Sequence, residues 1–361
     1  MGVVCGLAIG AFAFGVALGD GSAPRPSFVS QLTASQLAGQ RIVAGLEGTR
    51  ASASLRRLIR TGGVAGVVLY ADNFPSRAAG RRLIRSLQAI PRPPGLRDPL
   101  LVLTDQEGGL VKRVDGAPAT SARGMASRGL AFTQEQGRLT AGNLRDVGVN
   151  VNLAPVLDVA RPGSALTETE REWGGTAARV AAGAIPFAVA MQEGGVAAAG
   201  KHFPGLGTVR GDTDIGVQRI PLAKRSLRRI DEAPFRSFVE AGGELIMLSA
   251  AIYPSLSPQP AVFARPIVTG ELRRRLGFEG VVITDALDTT SALSVGGPAE
   301  AGVAAARAGA DLLLYTAPGP AADAQRTLAR RLRSGALSRP AFEESVGRVL
   351  RLRDGLGSPS R

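Results

Sequence analysis

The stretch "GVAAAGKHFPGLGTVRGDTDIG", residues 195–216, decides how the chain folds. It begins as a short apolar run of the kind that fills a strand buried on both faces of a parallel sheet. It then stops at Lys201 and His202 and enters a glycine-punctuated loop that ends in Asp212 and Asp214. His202 is the sole histidine among 361 residues, and Lys201 is one of three lysines. Charged groups at the end of an apolar strand are costly unless paired or put to use. The pattern therefore reads as a buried strand that delivers chemistry at its C-terminal end.

The same pattern recurs along the chain. Apolar, β-rich runs begin at Ile42 ("IVAGLEG"), Val64 ("VAGVVLYA"), Pro99 ("PLLVLTD") and Val149 ("VNVNLAP"). After the run at Gly195 come others at Leu245 ("LIMLSA"), Gly280 ("GVVITD") and Ala310 ("ADLLLY"). Amphipathic stretches separate them, such as "SRAAGRRLIRSLQAI" and "TQEQGRLTAGNLRDVG", the second ending at Gly148 as a helix stop. Eight βα units in one chain predict an α/β fold, a (β/α)8 TIM-type barrel forming a single catalytic domain over 29–361. A doubly wound open sheet would want a phosphate-binding glycine loop after its first strand, and "GLEGTRAS" is a poor match.

Composition narrows the function. The chain is 45% hydrophobic, enough for one large core, and its net charge is +13. All but three of its 43 basic residues are arginine, scattered at helix-like spacing, so they read as solvated helix faces. With aromatics at only 4%, there is no stripe of the kind nucleic acid needs. A basic surface does suit an anionic cell-envelope polymer. One cysteine, Cys5, excludes an intrachain disulfide, and with a single histidine no zinc site can be built. No metal or cofactor is implied. Residues 1–28 carry an uncharged apolar stretch, Val3 to Leu18, and a Gly/Ser/Pro linker. They read as a signal peptide or a membrane anchor, placing the protein outside the cell or on its envelope.

In a barrel of this kind the active site forms at the C-terminal ends of the strands. Asp105, Asp158, Lys201 with His202, and Asp285 all stand there. Asp105 and Asp285 could instead cap the following helices, and Asp158 suits a structural or turn role. No nucleophile elbow accompanies the histidine, so a serine triad is disfavoured. What remains is paired carboxylates, which is what hydrolysis of a glycosidic bond needs: one nucleophile or base, and one proton donor.

The segments "GVAGVVLYADN", "TDQEGGLVKRV", "VNVNLAPVLDV", "EREWG", "GKHFPGLG", "IMLSAAIYP", "GFEGVVITDAL" and "AGADLLLY" occur in this order. Together they make the chain resemble glycoside hydrolase family 3, especially its single-domain bacterial β-N-acetylhexosaminidases, from about residue 30 to about residue 355. The resemblance implies a carbohydrate substrate and a retaining mechanism. Asp285 matches the nucleophile, and Asp105, Arg113, Arg171, Lys201 and His202 match sugar-binding positions. It also exposes departures. Leu206 stands where a second histidine is expected, Leu110 where arginine is common, and Ala250 where a histidine precedes the Tyr-Pro pair. The triplet Asp212-Thr213-Asp214 replaces an Asp-Ser-His whose histidine is the general acid/base and whose aspartate orients it. Asp212 matches the orienting residue.

Three readings of that loop follow. Asp214 is the proton donor, which asks the site to raise its pKa from about 3.9 towards 6, roughly 3 kcal/mol. Gly205, Gly207, Gly211 and Gly216 would let the loop hinge onto sugar. Alternatively Glu168, Glu170 or Glu172 donates the proton. Alternatively the acid is missing, and the protein binds sugar without turnover or cleaves only activated glycosides. Within the enzyme reading, β-glucosidase or β-xylosidase specificity is the runner-up to N-acetylglucosaminides.

Overall fold

The computed structural model describes residues 26–211, 216–290 and 294–356. Asp212, Asp214, Cys5 and the apolar stretch from Val3 to Leu18 lie outside the described residues. Eight parallel strands form the main sheet. They are β1 (Ile42–Gly45), β2 (Gly66–Leu69), β3 (Leu101–Thr104), β4 (Val151–Asn152), β5 (Ala197–Phe203), β6 (Leu245–Leu248), β7 (Val281–Thr284) and β8 (Leu313–Tyr315). From β1 to β7 each strand pairs with the next in sequence, and β8 pairs with β1, so that β8 and β7 are the ends of the row. The row curls until its ends meet. Ile283 bridges Leu312, the Thr284 N–H donates to the Leu312 carbonyl at 3.0 Å, and the Leu314 N–H donates to Thr284 Oγ1 at 3.0 Å. This is the (β/α)8 barrel expected from the eight runs.

All eight runs contain a strand; seven strands are shorter than their apolar windows, whereas β5 runs on through Lys201 and His202 to Phe203. β4 is the shortest, because Pro155 has no N–H to give the ladder. Pairing resumes at an isolated bridge between Val156 and Lys201. Helices fill the intervals. Ser76 caps the helix Arg77–Gln88, accepting from the Ala79 N–H at 3.2 Å, and Leu83, Ile84 and Leu87 bury its inner face. Helix Leu130–Val147 stops at Gly148, whose φ of 95° is a left-handed conformation that glycine adopts without penalty.

Two apolar shells follow from the two-residue period of a strand. Ile42, Val67, Val102, Ala198, Ile246, Val282 and Leu313 point outward and pack under the helices. Val43, Val68, Leu101, Leu103, Ala197, Ala199, Leu245, Val281 and Ile283 point inward and fill the barrel. Val349 of the C-terminal helix Arg339–Gly355 joins that inner cluster. Most of the described arginines do lie on helices, and two arginines stand out by their burial. Arg41 and Arg353 are buried. Arg353 Nε donates to the Pro99 carbonyl at 2.9 Å, just before β3, and Arg41 Nε to the Asp311 carbonyl at 3.3 Å, just before β8. Both satisfy backbone groups where strands enter the barrel.

Candidate active site

The inward row continues one step beyond the apolar layer at the C-terminal end. Leu101 and Leu103 lead to Asp105, Ala197 and Ala199 to Lys201, and Val281 and Ile283 to Asp285. By the same count Val68 leads to Tyr70 and Leu314 to Thr316. All five of these residues line one cleft of about 470 Å³ at that end of the barrel. Arg113, Arg171 and His202 line it as well, so every sugar-binding position expected from the sequence converges there with Asp285. Gly211, the residue before Asp212, also lines the cleft.

Lys201 Nζ lies 2.7 Å from Asp105 Oδ1 and 2.7 Å from Glu107 Oε1. Glu107 in turn accepts a bidentate pair from Arg171, Nε to Oε2 at 2.8 Å and Nη2 to Oε1 at 2.7 Å. Two carboxylates and two cations thus balance in a nearly dry site, where the side chains of Glu107 and Lys201 are 4% and 3% exposed. Burial alone would raise the Glu107 carboxyl, but the charges of Lys201 and Arg171 hold it well below the usual carboxylate range. Burial likewise works against the Lys201 ammonium, yet Asp105 and Glu107 beside it raise its pKa. Both residues therefore stay charged at neutral pH.

Glu107 was not among the residues singled out from sequence. It sits on a two-stranded hairpin, Gln106–Gly108 with Val111–Lys112. Gln106 secures that hairpin. Its Oε1 accepts from the Arg113 and Val114 N–H groups at 2.9 Å each, and its Nε2 donates to the Val114 and Ala117 carbonyls at 2.7 and 2.8 Å. The hairpin carries Val111 and Arg113 into the cleft and leaves Leu110 exposed. Arg113 Nε is buried without a hydrogen-bond partner, a donor available to a ligand. Asp105 is followed by this hairpin rather than by a helix, so it caps none.

The loop after β5 is held from below. Asp158, fully buried, accepts from the N–H groups of His202 and Leu206 at 3.2 and 2.7 Å, and its Oδ2 lies 2.8 Å from His202 Nδ1. The Gly205 carbonyl accepts from the Tyr253 hydroxyl at 2.9 Å. Asp231 packs beneath Gly205 and accepts from Arg161 at 2.9 and 3.1 Å. Burial pushes the Asp231 carboxyl up to about 6 against the opposing pull of Arg161. Two of the four expected hinge glycines answer to packing. A Cβ on Gly207 would stand 1.8 Å from the Val159 carbonyl oxygen, and Gly205 combines φ 134° with a close approach to Asp231.

Asp285 directly follows β7, and its Oδ1 accepts from the Ala286 N–H at 2.8 Å. Among the described residues the carboxylates lining the cleft are Asp105 and Asp285, and Asp105 is engaged by Lys201. Glu168, Glu170 and Glu172 do not line it. Glu170 accepts from Ser121 Oγ at 2.9 Å, and Glu172 from Arg123 Nε at 2.6 Å. Among the described residues no three His, Cys, Asp or Glu side chains converge as metal ligands, and no helix is long and apolar enough to cross a membrane.

The fold agrees with that of known proteins. The family model described as "Glycosyl hydrolase family 3 N terminal domain" matches residues 29–352. An uncharacterized secreted glycosyl hydrolase of Arthroderma benhamiae is 36% identical over 333 residues, covering 89% of this chain and 93% of the relative. A β-hexosaminidase of Xanthomonas oryzae is 34% identical over 307 residues, covering 82% of this chain and 90% of the relative. Among solved structures, a family 3 β-N-acetylglucosaminidase from Paenibacillus superposes with a TM-score of 0.84 at 32% identity. That match covers 90% of this chain and 63% of the longer Paenibacillus chain.

Proposed function

The chain belongs to glycosyl hydrolase family 3, and we propose that it is a retaining β-N-acetylhexosaminidase acting on N-acetylglucosaminides of cell-wall or related glycans. Asp285 is the nucleophile in this reading, and Asp214 the general acid/base oriented by Asp212. Asp105, Arg113, Arg171, Lys201 and His202 hold the sugar.

The observation that carries the reading is the contrast between the two cleft carboxylates. Asp105 is tied to a buried ammonium, whereas Asp285 has no cation within salt-bridge distance among the described residues. A carboxylate in that state keeps its electron pairs for an anomeric carbon. Retention needs two steps. Asp285 attacks the anomeric carbon while Asp214 protonates the departing oxygen. Water, deprotonated by Asp214, then displaces Asp285 and releases the sugar with its original configuration. Glu170 and Glu172 are engaged away from the cleft, which favours the Asp212–Asp214 segment as source of the proton. The apolar stretch before residue 28 and the basic surface suit export toward an anionic envelope polymer.

The test is hydrolysis of an aryl β-N-acetylglucosaminide by the full chain beside Asp285→Ala. Turnover is expected to vanish in the variant, and equal residual turnover in both sinks the assignment. A second reading rests on the replaced loop histidine: sugar binding without turnover. It requires saturable binding of N-acetylglucosamine and no hydrolysis of natural glycans between about pH 4 and 8, the range spanning carboxyl and imidazole titrations.

A further inference from the structure

Asp158 is fully buried and sits directly behind the cleft face formed by His202. A carboxylate can only accept hydrogen bonds. Its Oδ1 is occupied by two backbone donors, the N–H groups of His202 and Leu206, so the main chain sets its orientation. Its Oδ2 faces His202 Nδ1 at 2.8 Å. That contact is favourable only if Nδ1 carries a proton. In the neutral ring the other nitrogen, Nε2, is then bare and is the polar atom left to meet a ligand.

The neighbour makes this consequential. Lys201 is an obligate donor, and two of the three directions on its ammonium are taken by Asp105 and Glu107. One donor remains. Adjacent residues thus offer the cleft a donor, Nζ, and an acceptor, Nε2. A hydroxyl group is at once an acceptor and a donor, and it matches that pair. We propose that Asp158 is a positioning residue for the substrate: it keeps the proton of His202 on Nδ1, so that Nε2 accepts from a sugar hydroxyl while Lys201 donates to the same sugar. The consequence for binding rests on the glycosidase reading of the cleft; the protonation pattern does not.

Asp158→Asn isolates the effect. The introduced amide keeps its carbonyl oxygen toward the two backbone donors, since turning it over would set N–H against N–H. Its NH2 group then replaces Oδ2 and faces Nδ1 with a donor. A neutral ring must shift its proton to Nε2, converting the acceptor in the cleft into a donor with little change of shape. Because the chain has one histidine, its ring signals in long-range proton–nitrogen spectra of 15N-labelled protein are unambiguous. The pH is raised until one ring nitrogen is bare. In the wild type that nitrogen should be Nε2; in Asp158→Asn it should be Nδ1, with kcat/KM lower on the order of 10–100-fold, the scale seen when the partner orienting a histidine is removed. A bare Nδ1 in the wild type overturns the proposal. So does an activity loss in Asp158→Asn with the tautomer unchanged, which would make Asp158 structural only. The spectra need no substrate, so the glycosidase reading can fail without touching this result, and the wild-type spectrum decides alone if the variant does not fold.

Discussion

Replacing Glu107 with glutamine tests the charge balance on which the site is built. In the wild type Asp105 and Glu107 face Lys201 and Arg171, two charges of each sign. Glu107→Gln keeps the shape but leaves one uncompensated cation in a site that water barely reaches. With its carbonyl oxygen at the Oε1 position the new amide still accepts from Lys201 and from Arg171 Nη2, but its NH2 group then confronts Arg171 Nε donor to donor. Removing one partner of a buried ion pair typically costs about 3–5 kcal/mol, and that loss is expected at neutral pH. Its pH dependence separates charge from packing. The Glu107 carboxyl is held well below its ordinary value of 4.5 in the folded protein. Its contribution is therefore complete above that value and is lost as pH falls below it. Each pH unit below 4.5 removes about 1.4 kcal/mol from the difference between wild type and variant, since the glutamine side chain does not titrate. Urea unfolding, followed through the single tryptophan, Trp173, at about pH 7 and about pH 3.5 should show the gap narrowing by roughly 1.4 kcal/mol. A gap under about 1 kcal/mol at neutral pH refutes the reasoning, as does a gap that is the same at both values. Adding Arg171→Met to Glu107→Gln restores neutrality and should recover part of the stability, although not the activity.

Two further outcomes follow from groups elsewhere. Asp214→Ala should lose about 10²–10⁴-fold in kcat on a substrate with a poor leaving group and far less on an aryl glycoside with a good one, because only the first needs a proton in the transition state; a uniform loss on both, read by steady-state kinetics, removes Asp214 as the acid. Burial pushes the Glu244 carboxyl up from 4.5 to about 7, and its Oε2 has no hydrogen-bond partner. The sign is opposite to that of Glu107: its favourable contribution is present below 4.5 and is lost as pH rises through about 7. Glu244→Gln should therefore gain on the wild type by about 2–3 kcal/mol between about pH 5 and pH 8 in urea unfolding, and parallel pH curves for the two proteins would refute it.

How much of the site could be read from sequence depends on which interactions are local. Asp105, Lys201 and Asp285 were legible because each is the next inward position after an apolar pair, where the period of two carries on past the apolar run. Glu107 obeys the same period, two residues beyond Asp105, and could have been found by it. It was missed because the apolar run "PLLVLTD" closes at Asp105, while the chain in fact continues and turns back at Gly108 and Gly109, with φ of 100° and 57°, into a hairpin. Asp158 shows a different limit. A structural role was expected for it, but its partner His202 is 44 residues away, on the following strand, and no spacing rule joins them. The glycines after β5 show a third. A glycine that permits a hinge and one that permits a close approach look alike in sequence, and at Gly207 only the Val159 carbonyl, 1.8 Å from where a Cβ would be, tells them apart. Repeating periods therefore carry the barrel and its ring of inward charges, whereas contacts between loops carry the orientation of those charges. The orientation is what the Asp158→Asn and Glu107→Gln variants perturb while leaving the barrel pattern intact.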